Sequence, residues 1–377
     1  MASPPVHVIG VDVGGTKIKA GLIAFDSDGT VRHLVRAEQI PTPHLEPSSF
    51  YDQLASVIQR LRATADREGM ALAPVAAVAQ PGRFLPDGTL ARGTTPNLGT
   101  APGQFDGLSP TRELERRLGM MVVAENDAVA QMRFGLDCLL RDPAVRPRLV
   151  RRLVVYLGPG TGMGGGVARI HGEGQVTPVT DGHLFDLRVA NYGDGQQTAE
   201  ELFTGPAIAR AVEEANRQLA RPIQPASGGS LDLILTARDS PAEHRAVATR
   251  LADQFGVILA CLIELIHAGR IVKVRVERRS DGQLVRHVDE PDRAWSAQDT
   301  TQVTGVQRVV MGGFIGCSRG LGSRIRQAAL AELRQRGLKT IELFQIPMDS
   351  GDAGLLGIAR AIPLNQLNVV RKRAVDG

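Results

Sequence analysis

A β-branched strand that carries one carboxylate and ends in a glycine turn constrains this chain more than any other segment. Residues 8–13 predict a buried strand, and Asp12 lies inside it. A Gly-Gly-Thr turn follows at residues 14–16, and the alternating residues 18–23 predict a returning strand. A strand, a glycine turn and a second strand form a hairpin whose backbone N–H groups can point at an anion.

Asp12 needs a partner, because a buried carboxylate is costly unless it is paired or bound to a metal ion. A nucleotide phosphate with Mg²⁺ provides one, since hard cations prefer carboxylate oxygens and phosphates accept hydrogen bonds from N–H and hydroxyl groups. The segment alone also fits a structural hairpin with a capping aspartate. The pattern therefore favours a phosphate and magnesium site, with the structural hairpin as the alternative.

A second glycine turn repeats this layout later in the chain. Residues 158–166 contain six glycines in nine positions, between predicted strands at residues 152–157 and 165–170. So many glycines cost backbone entropy, which the close approach of a ligand can offset. The pattern is neither a P-loop nor a dinucleotide fingerprint, and a purely structural turn is the alternative. Two such hairpins predict two similarly built domains that face a shared cleft.

Between the two hairpins, Glu125-Asn126-Asp127-Ala128 joins a predicted buried strand to a helix that runs to about residue 140. Strand ends in open α/β sheets face the ligand crevice. At such a point Asp127 could accept a proton from a substrate hydroxyl, and Asn126 could orient that hydroxyl. Both residue types are also common helix N-caps, so a capping role is the alternative.

These motifs, in this order, resemble those of the ROK family of sugar kinases and repressors, over about residues 7–362. The two glycine hairpins are similar to the family's two phosphate segments, and residues 309–313 to its adenosine segment. Asp127 falls on the family's catalytic base, and residues 352–357 on its closing helix. The resemblance implies an α/β, two-domain actin-like ATPase (ribonuclease H-like) fold with a cleft between the domains.

The order of the elements also predicts the domain boundaries. Residues 1–126 form a small N-terminal α/β domain, on which a C-terminal helix at about 352–377 packs back. Residues 127–351 form a large α/β domain. Within it, residues 270–305 predict an exposed, inserted β-hairpin that the family pattern lacks. An inert surface insertion is favoured over an oligomer interface or a contact with the nucleotide.

The resemblance implies ATP and Mg²⁺ as cofactors, with Asp12 holding the metal ion through a water molecule. The residues that would bind the nucleotide belong to the glycine turns and the adenosine segment: Gly14, Gly15, Thr16, Lys17, Gly160, Thr161, Gly162, Gly164, Gly312 and Gly313. The residues that would bind the acceptor match the family's sugar motifs: Asn97, Asn126, His183 and Glu200.

Two departures from the family pattern concern the acceptor. The family's Glu-x-Gly-His segment is Thr180-Asp181-Gly182-His183 here, so the histidine is kept and Thr180 replaces the glutamate. Asp181, one position away, is a candidate replacement. Residues 191–200 contain no cysteine where the family has a cysteine-rich zinc motif, so no zinc site is predicted.

The predicted function is transfer of a phosphoryl group from ATP to a primary hydroxyl of a hexose or hexose-like acceptor, as in glucokinases. A cyclitol of secondary metabolism or an amino sugar is the alternative acceptor, since a cyclitol has no anomeric centre for the lost carboxylate to recognise. Polyphosphate is the alternative donor. A non-catalytic sugar-binding or regulatory ROK protein is the alternative from another class. Family regulators carry a DNA-binding domain before the first strand, and only a few residues precede it here.

Composition narrows the class of partner. The net charge of +4 is mild and aromatic residues make up only 4% of the chain, so the basic runs lack the stacking platform of a nucleic-acid site. No long apolar run predicts a membrane span, and no signal peptide is recognised. A small-molecule sugar or cyclitol, a cytoplasmic location and, from the resemblance, a homodimer are predicted. Three widely spaced cysteines predict no disulfide framework.

Overall fold

The structure, a computed structural model, describes residues 5–26, 31–95, 98–179, 187–270, 273–278, 284–289, 304–347, 351–363 and 367. The chain folds as two compact units, Met1–Gly135 with Ser350–Gly377, and Leu136–Asp349. The boundary falls inside the helix Asp127–Leu140, whereas the sequence analysis places it at the first residue of that helix.

A five-stranded sheet organises the first unit. Its strands are β1 (Val6–Val13), β2 (Lys17–Phe25), β3 (Val31–Pro41), β4 (Leu72–Gln80) and β5 (Met121–Asn126), in the order β3-β2-β1-β4-β5. The first three strands are antiparallel, and β1, β4 and β5 are parallel. The predicted glycine hairpin is therefore confirmed as β1 and β2, with Asp12 directly opposite Lys19.

Helices cover both faces of this sheet. They are α1 (Pro47–Arg67), α2 (Pro110–Leu118), the start of α3 (Asp127–Leu140) and, from the end of the chain, α11 (Ala353–Ala359). Ser109, a residue type that favours the N-cap position, caps α2: its side chain accepts a hydrogen bond from the Arg112 amide. The helix predicted at about 352–377 is described as helical only over α11 and at residue 367, and residues 364–366 and 368–377 lie outside the described residues.

The alternation of side chains along β1 decides which face Asp12 occupies. Ile9 and Val11 pack with the apolar side of α1, whereas Val8 packs in the cluster that contains Leu355 of α11. Because successive side chains in a strand point to opposite faces, Asp12 shares the face of Val8, toward α11. The strand pattern thus puts one carboxylate against the helix that closes the chain.

The second unit repeats the arrangement of the first. Its strands are β6 (Leu153–Pro159), β7 (Met163–Ile170), β8 (Val176–Pro178), β11 (Arg308–Met311) and β12 (Glu342–Gln345), in the order β12-β11-β6-β7-β8. With β6 in the place of β1, the neighbours and their parallel or antiparallel sense are the same. The prediction of two similarly built domains, made from two glycine hairpins, is confirmed.

The helices of the second unit enclose its core: α4 (Arg146–Leu149), α5 (Ala199–Leu202), α6 (Gly205–Asn216), α7 (Gly228–Thr236), α8 (Ala242–His267), α9 (Gly313–Cys317) and α10 (Leu321–Gln335). By length and composition α8 alone among the described helices could cross a membrane. It is instead the central core helix, and its Gly256 lets α10 approach so closely that a Cβ there would stand 2.4 Å from the Ala328 methyl.

Three differences from the predicted elements have local causes. The sequence of residues 199–218 predicts one helix, but the structure has two, because the Thr204 hydroxyl caps a new helix by accepting from the Ala207 amide. The short elements α4, β8 and α9 were not predicted, since they span too few residues to show a period. The inserted hairpin is confirmed as β9 (Lys273–Arg278) paired with β10 (Leu284–Asp289), and its predicted exposure lies outside the described side chains.

The three cysteines, Cys138, Cys261 and Cys317, are free thiols. Cys261 and Cys317 are buried and Cys138 is half-buried.

Candidate active site

Asp12 lies where β1 meets the first turn of α11. A Cβ added to Gly354 would stand 2.4–2.6 Å from the carboxylate atoms of Asp12, so only a glycine permits this approach. Lys19, opposite Asp12 on β2, donates from Nζ to Asp352 Oδ1 at 3.1 Å and to the Gly351 carbonyl. Lys19 therefore ties the hairpin to the segment that enters α11.

Asp12 lies near other carboxylates, whose negative charges act on it. Burial, and after it the negative charge of Asp127, raise the pKa of Asp12 to about 7. The charges of Lys19 and Lys17 oppose this rise, while that of Asp352 adds to it. A cation placed here would relieve the repulsion between the carboxylates.

The surroundings of Asp12 fit its predicted role as a magnesium ligand. Among the described residues no group of three or more His, Cys, Asp or Glu side chains could hold a metal ion by itself. Mg²⁺ needs no such cage, because it keeps several water molecules and takes one or two carboxylates together with substrate phosphates. A single half-buried carboxylate with a raised pKa, beside a phosphate-type turn, matches that donor set.

The first glycine turn is held from outside by a residue that the sequence analysis missed. Thr42, just after β3, donates from Oγ1 to the Gly14 carbonyl at 2.6 Å and from its amide to the Thr16 carbonyl at 3.1 Å. The Gly14 amide donates to the Lys17 carbonyl at 2.9 Å and closes the turn. Gly15, at the tip, is exposed, as are Thr16 and Lys17.

Asn126 and Asp127, neighbours in the chain, make different contacts. Asn126 is the helix cap: its Oδ1 accepts from the Ala128 amide at 2.9 Å and from the Val129 amide at 3.2 Å, and its Nδ2 donates to the Gly82 carbonyl at 2.9 Å. Asp127, the first residue of α3, is half-buried. Burial raises the pKa of Asp127 to about 6, against the hydrogen bond from the Ala128 amide, which lowers it.

Glu125, the third polar residue of this motif, is already engaged. Its two carboxylate oxygens accept from Arg133 at 2.7 Å and 2.6 Å in a bidentate pair. Such a bidentate pair fixes the orientation of the Glu125 side chain. Of the two carboxylates in this motif, Asp127 therefore has the raised pKa and Glu125 has the arginine partner.

The second glycine turn is built inside the second unit by β6, β7 and the start of α6. The Gly160 amide donates to the Gly162 carbonyl at 2.9 Å, and the Gly160 carbonyl accepts from the Gly205 amide at 2.7 Å. Thr161 is exposed at the tip. Glu200 reaches the same turn, where its Oε2 accepts from the Met163 amide at 3.2 Å. The structure thus places Glu200, predicted as an acceptor ligand, on the glycine turn.

Gly312 and Gly313 approach this turn from the end of β11. The Gly312 amide donates to the Leu157 carbonyl at 2.8 Å. Gly313 has φ +66°, and a Cβ there would stand 2.5 Å from the Pro159 carbonyl oxygen. Tyr156, missed by the sequence analysis, fills the space beside them, because a Cβ on Gly312 would stand 2.5 Å from its ring. The predicted nucleotide glycines of this unit therefore come together around β6.

The acceptor residues are described only in part. Asn97 and His183 lie outside the described residues, as do Thr180 and Asp181. The segment that would carry the zinc motif begins with Asn191, whose Nδ2 donates to Glu264 Oε2 at 2.8 Å and to the Cys261 carbonyl at 3.2 Å. These bonds fasten the segment to α8.

The chain is similar to several proteins of known structure or function. A segment of 159 residues, 42% of this chain, is 33% identical to an N-acetyl-D-glucosamine kinase of Salmonella paratyphi C (strain RKS4594). The match spans 45% of that protein, a little under half its length. A ROK family glucokinase from Streptomyces griseus, solved in complex with glucose and AMPPNP, aligns with a TM-score of 0.58 and 19% identity over 94% of this chain and 98% of that chain.

A ROK family transcriptional regulator, a homolog of the E. coli MLC protein, aligns with a TM-score of 0.61 and 13% identity over 99% of this chain and 81% of that chain. These structural likenesses confirm the predicted α/β actin-like ATPase fold class. The sequence itself matches the ROK family profile over residues 8–363, nearly its whole length. The chain therefore belongs to the ROK family.

Proposed function

We propose that this protein is a sugar kinase that transfers the γ-phosphoryl group of ATP to a primary hydroxyl of a hexose or hexose-like acceptor. The observation that carries the proposal is the pair of Asp12 and Asp127 in the first unit. Each has a pKa raised mainly by burial, and the charge of Asp127 acts directly on Asp12. Half-buried carboxylates that repel each other destabilise the fold. Such pairs are found at functional sites, where they bind a metal ion or take part in proton transfer.

Asp127 would act as the general base. With a pKa of about 6 it is ionised at neutral pH and still basic enough to accept the proton of an attacking hydroxyl. Asn126 donates one N–H to Gly82 and has a second N–H with which to orient that hydroxyl. Residues Asn97 and His183 are proposed to complete the acceptor site.

Asp12 would hold Mg²⁺ through water, and Mg²⁺ would neutralise charge on the phosphates. Backbone amides of the turn at Gly15 and Thr16, with the Lys17 side chain, would bind phosphate oxygens, and so would those of the turn around Thr161 in the second unit. The backbone at Gly312 and Gly313 is proposed to lie against the adenosine. Glu200 accepts from an amide of the second turn and stays a proposed acceptor ligand.

The comparisons support a sugar as the acceptor and favour one alternative. The relative at 33% identity is named an N-acetyl-D-glucosamine kinase, so an amino sugar stands beside glucose as the proposed substrate. A non-catalytic or regulatory role is the proposal from another class, supported by the likeness to a regulator. The retained Asp12 and Asp127 argue against it, because a binding protein has no use for a general base. The homodimer, the cytoplasmic location and the absence of a nucleic-acid partner stay predictions.

The test is product formation with ATP·Mg²⁺ and a panel of D-glucose, N-acetyl-D-glucosamine, N-acetyl-D-mannosamine and myo-inositol. We expect phosphorylation of at least one of them, a fall in kcat as pH drops below about 6, and a loss of at least about 1000-fold in Asp127→Asn. Asp137→Asn, a carboxylate of the same helix paired with Arg141, is the matched control and should keep full activity.

Two results would contradict the proposal in different ways. Full activity of Asp127→Asn would show that Asp127 is not the general base, but the protein would still be a kinase. No product from any acceptor, with ATP or with polyphosphate as donor, would favour the non-catalytic alternative.

A further inference from the structure

Thr95 is buried with an unused hydroxyl. The residue is 2% exposed, and Oγ1 has no hydrogen-bond partner among the described residues. The other buried threonines of the described residues, Thr42, Thr64, Thr198 and Thr204, all form a side-chain hydrogen bond. A buried hydroxyl without a partner is destabilising, so a bound group that is not part of the protein is the expected explanation.

Thr95 stands close to the residues proposed to act on the acceptor. A Cβ on Gly82 would lie 2.8 Å from Thr95 Cγ2, and the Gly82 carbonyl accepts from Asn126 Nδ2 at 2.9 Å. Asn126 precedes Asp127 directly. Thr95, Gly82 and Asn126 therefore form a continuous set of contacts that ends at the proposed general base.

Hydrogen bonds hold Thr94 and the carbonyl of Thr95 in place. Thr94 Oγ1 donates to the Ala91 carbonyl at 2.8 Å and accepts from the Arg83 amide at 3.0 Å. The Thr95 carbonyl accepts from the Leu98 amide at 3.2 Å. A hydroxyl held in place by its backbone loses little freedom when a ligand binds, which favours a specific contact.

We propose that the Thr95 hydroxyl binds the acceptor and selects for one of its hydroxyl groups. The inference rests on the proposed kinase function and adds a specificity-determining residue to it. A threonine hydroxyl both donates and accepts, so it can pair with a sugar hydroxyl in either direction. A site built to bond one hydroxyl also rejects the analogue that lacks it, because the buried threonine is then left without a partner.

The variant Thr95→Val tests this, because it keeps the shape of the side chain and removes the hydroxyl. With the best of D-glucose and N-acetyl-D-glucosamine as acceptor, we expect KM to rise about tenfold while kcat stays within about twofold. The melting temperature of the ligand-free protein should stay the same or rise, since an unpaired buried hydroxyl is gone. Thr95→Ser, which keeps the hydroxyl, should restore a KM near that of the wild type.

Thr64→Val is the matched control. Thr64 is also a buried threonine of the first unit, but its Oγ1 already accepts from Arg67 at 3.1 Å. This variant should lower the melting temperature slightly and leave KM unchanged. The opposite behaviour of two buried threonines would distinguish a ligand contact from a general packing effect.

Deoxy analogues identify the bonded hydroxyl. With the 2-, 3- and 4-deoxy forms of D-glucose, one analogue should show the same KM for the wild type and Thr95→Val, because the contact is absent in both. An unchanged KM for Thr95→Val on every acceptor would overturn the inference and point to a buried water molecule. If the wild type phosphorylates nothing, the kinase proposal fails, and glucose titrated calorimetrically into both proteins still tests Thr95 through the dissociation constant.

Discussion

The backbone of Gly354 lies directly against the carboxylate of Asp12: a Cβ at position 354 would stand 2.4 Å from Oδ2 and 2.6 Å from Oδ1. The two residues are far apart in sequence, and they meet because β1 turns its Asp12 face toward α11. The contact keeps water away from one side of the carboxylate. It thereby contributes to the burial that raises the pKa of Asp12 to about 7.

We therefore expect Gly354→Ala to reduce activity at least about 100-fold and to lower the free energy of unfolding by about 1–3 kcal/mol. The added methyl group can only be accommodated if Asp12 or the first turn of α11 moves. Steady-state kinetics and urea unfolding measure the two effects. Gly229→Ala is the control, because a Cβ there meets nothing closer than 3.7 Å. Equal behaviour of the two variants would show that the Asp12 contact is unimportant.

Asp12→Asn should abolish activity and stabilise the ligand-free protein at high pH. The folded carboxyl has a pKa raised to about 7 from an ordinary value of 3.8, so the folded state binds more protons between these values. Wild-type stability therefore falls as pH rises from about 4 to about 7, and an asparagine has no such dependence.

Urea unfolding at pH 5 and pH 8 measures this. The stability of Asp12→Asn relative to the wild type should increase by about 1–3 kcal/mol between the two pH values. Asp137→Asn is again the control and should show no comparable increase. If the stability of Asp12→Asn relative to the wild type stays constant or falls from pH 5 to pH 8, the pKa of Asp12 is not raised in the folded state.

Features that depend on neighbouring residues could be predicted from the sequence, and contacts between distant residues could not. The β1–β2 hairpin, the Ser109 cap and the duplicated sheet follow from β-branched runs, glycine turns and capping residues within single segments. The break before Thr204 was missed because a threonine cap competes with a helical period that continues on both sides.

The candidate site shows the same division. Asp127 and the glycine turns are motifs within a few residues, so their types and spacing were enough to select them. Three other features are tertiary contacts. Thr42 donates to the first glycine turn, Tyr156 packs against Gly312, and Gly354 contacts Asp12. No local pattern marks such residues, because their role exists only when separate strands and helices pack together.

Gly313→Ala should impair nucleotide binding more than it impairs catalysis. The residue has φ +66° and stands so close to β6 that a Cβ would lie 2.5 Å from the Pro159 carbonyl oxygen and 2.9 Å from the Gly158 carbonyl carbon. Neither backbone can yield easily, so the second glycine turn should shift. We expect KM for ATP to rise about tenfold or more, and stability to fall by about 2–4 kcal/mol.

Gly337→Ala separates backbone strain from this close approach. Gly337 has φ +83° and a Cβ there meets nothing within 4 Å, so the variant bears only the conformational cost of about 1–2 kcal/mol. Its KM for ATP should equal that of the wild type. If Gly313→Ala costs no more stability than this control and leaves KM unchanged, the approach to Pro159 has no bearing on the nucleotide.

Asn191→Ala should loosen the segment where the family carries its zinc motif. Asn191 Nδ2 donates to Glu264 Oε2 and to the Cys261 carbonyl, and Glu264 Oε2 also accepts from Arg336 at 2.7 Å. Losing both bonds at this half-buried position should cost about 1–2 kcal/mol. Hydrogen exchange of residues 187–198 should become faster, because these bonds fasten the segment to α8.

Asn191→Asp gives the sharper result, since a second carboxylate would face Glu264 in the same place. Its loss of stability should exceed that of Asn191→Ala at pH 8 and shrink as pH falls and the carboxyl groups take up protons. A zinc-selective chelator should leave the melting temperature of the wild type unchanged, because the segment is held by hydrogen bonds. If the chelator lowers the melting temperature, or if hydrogen exchange is unchanged in Asn191→Ala, a group other than Asn191 holds this segment in place.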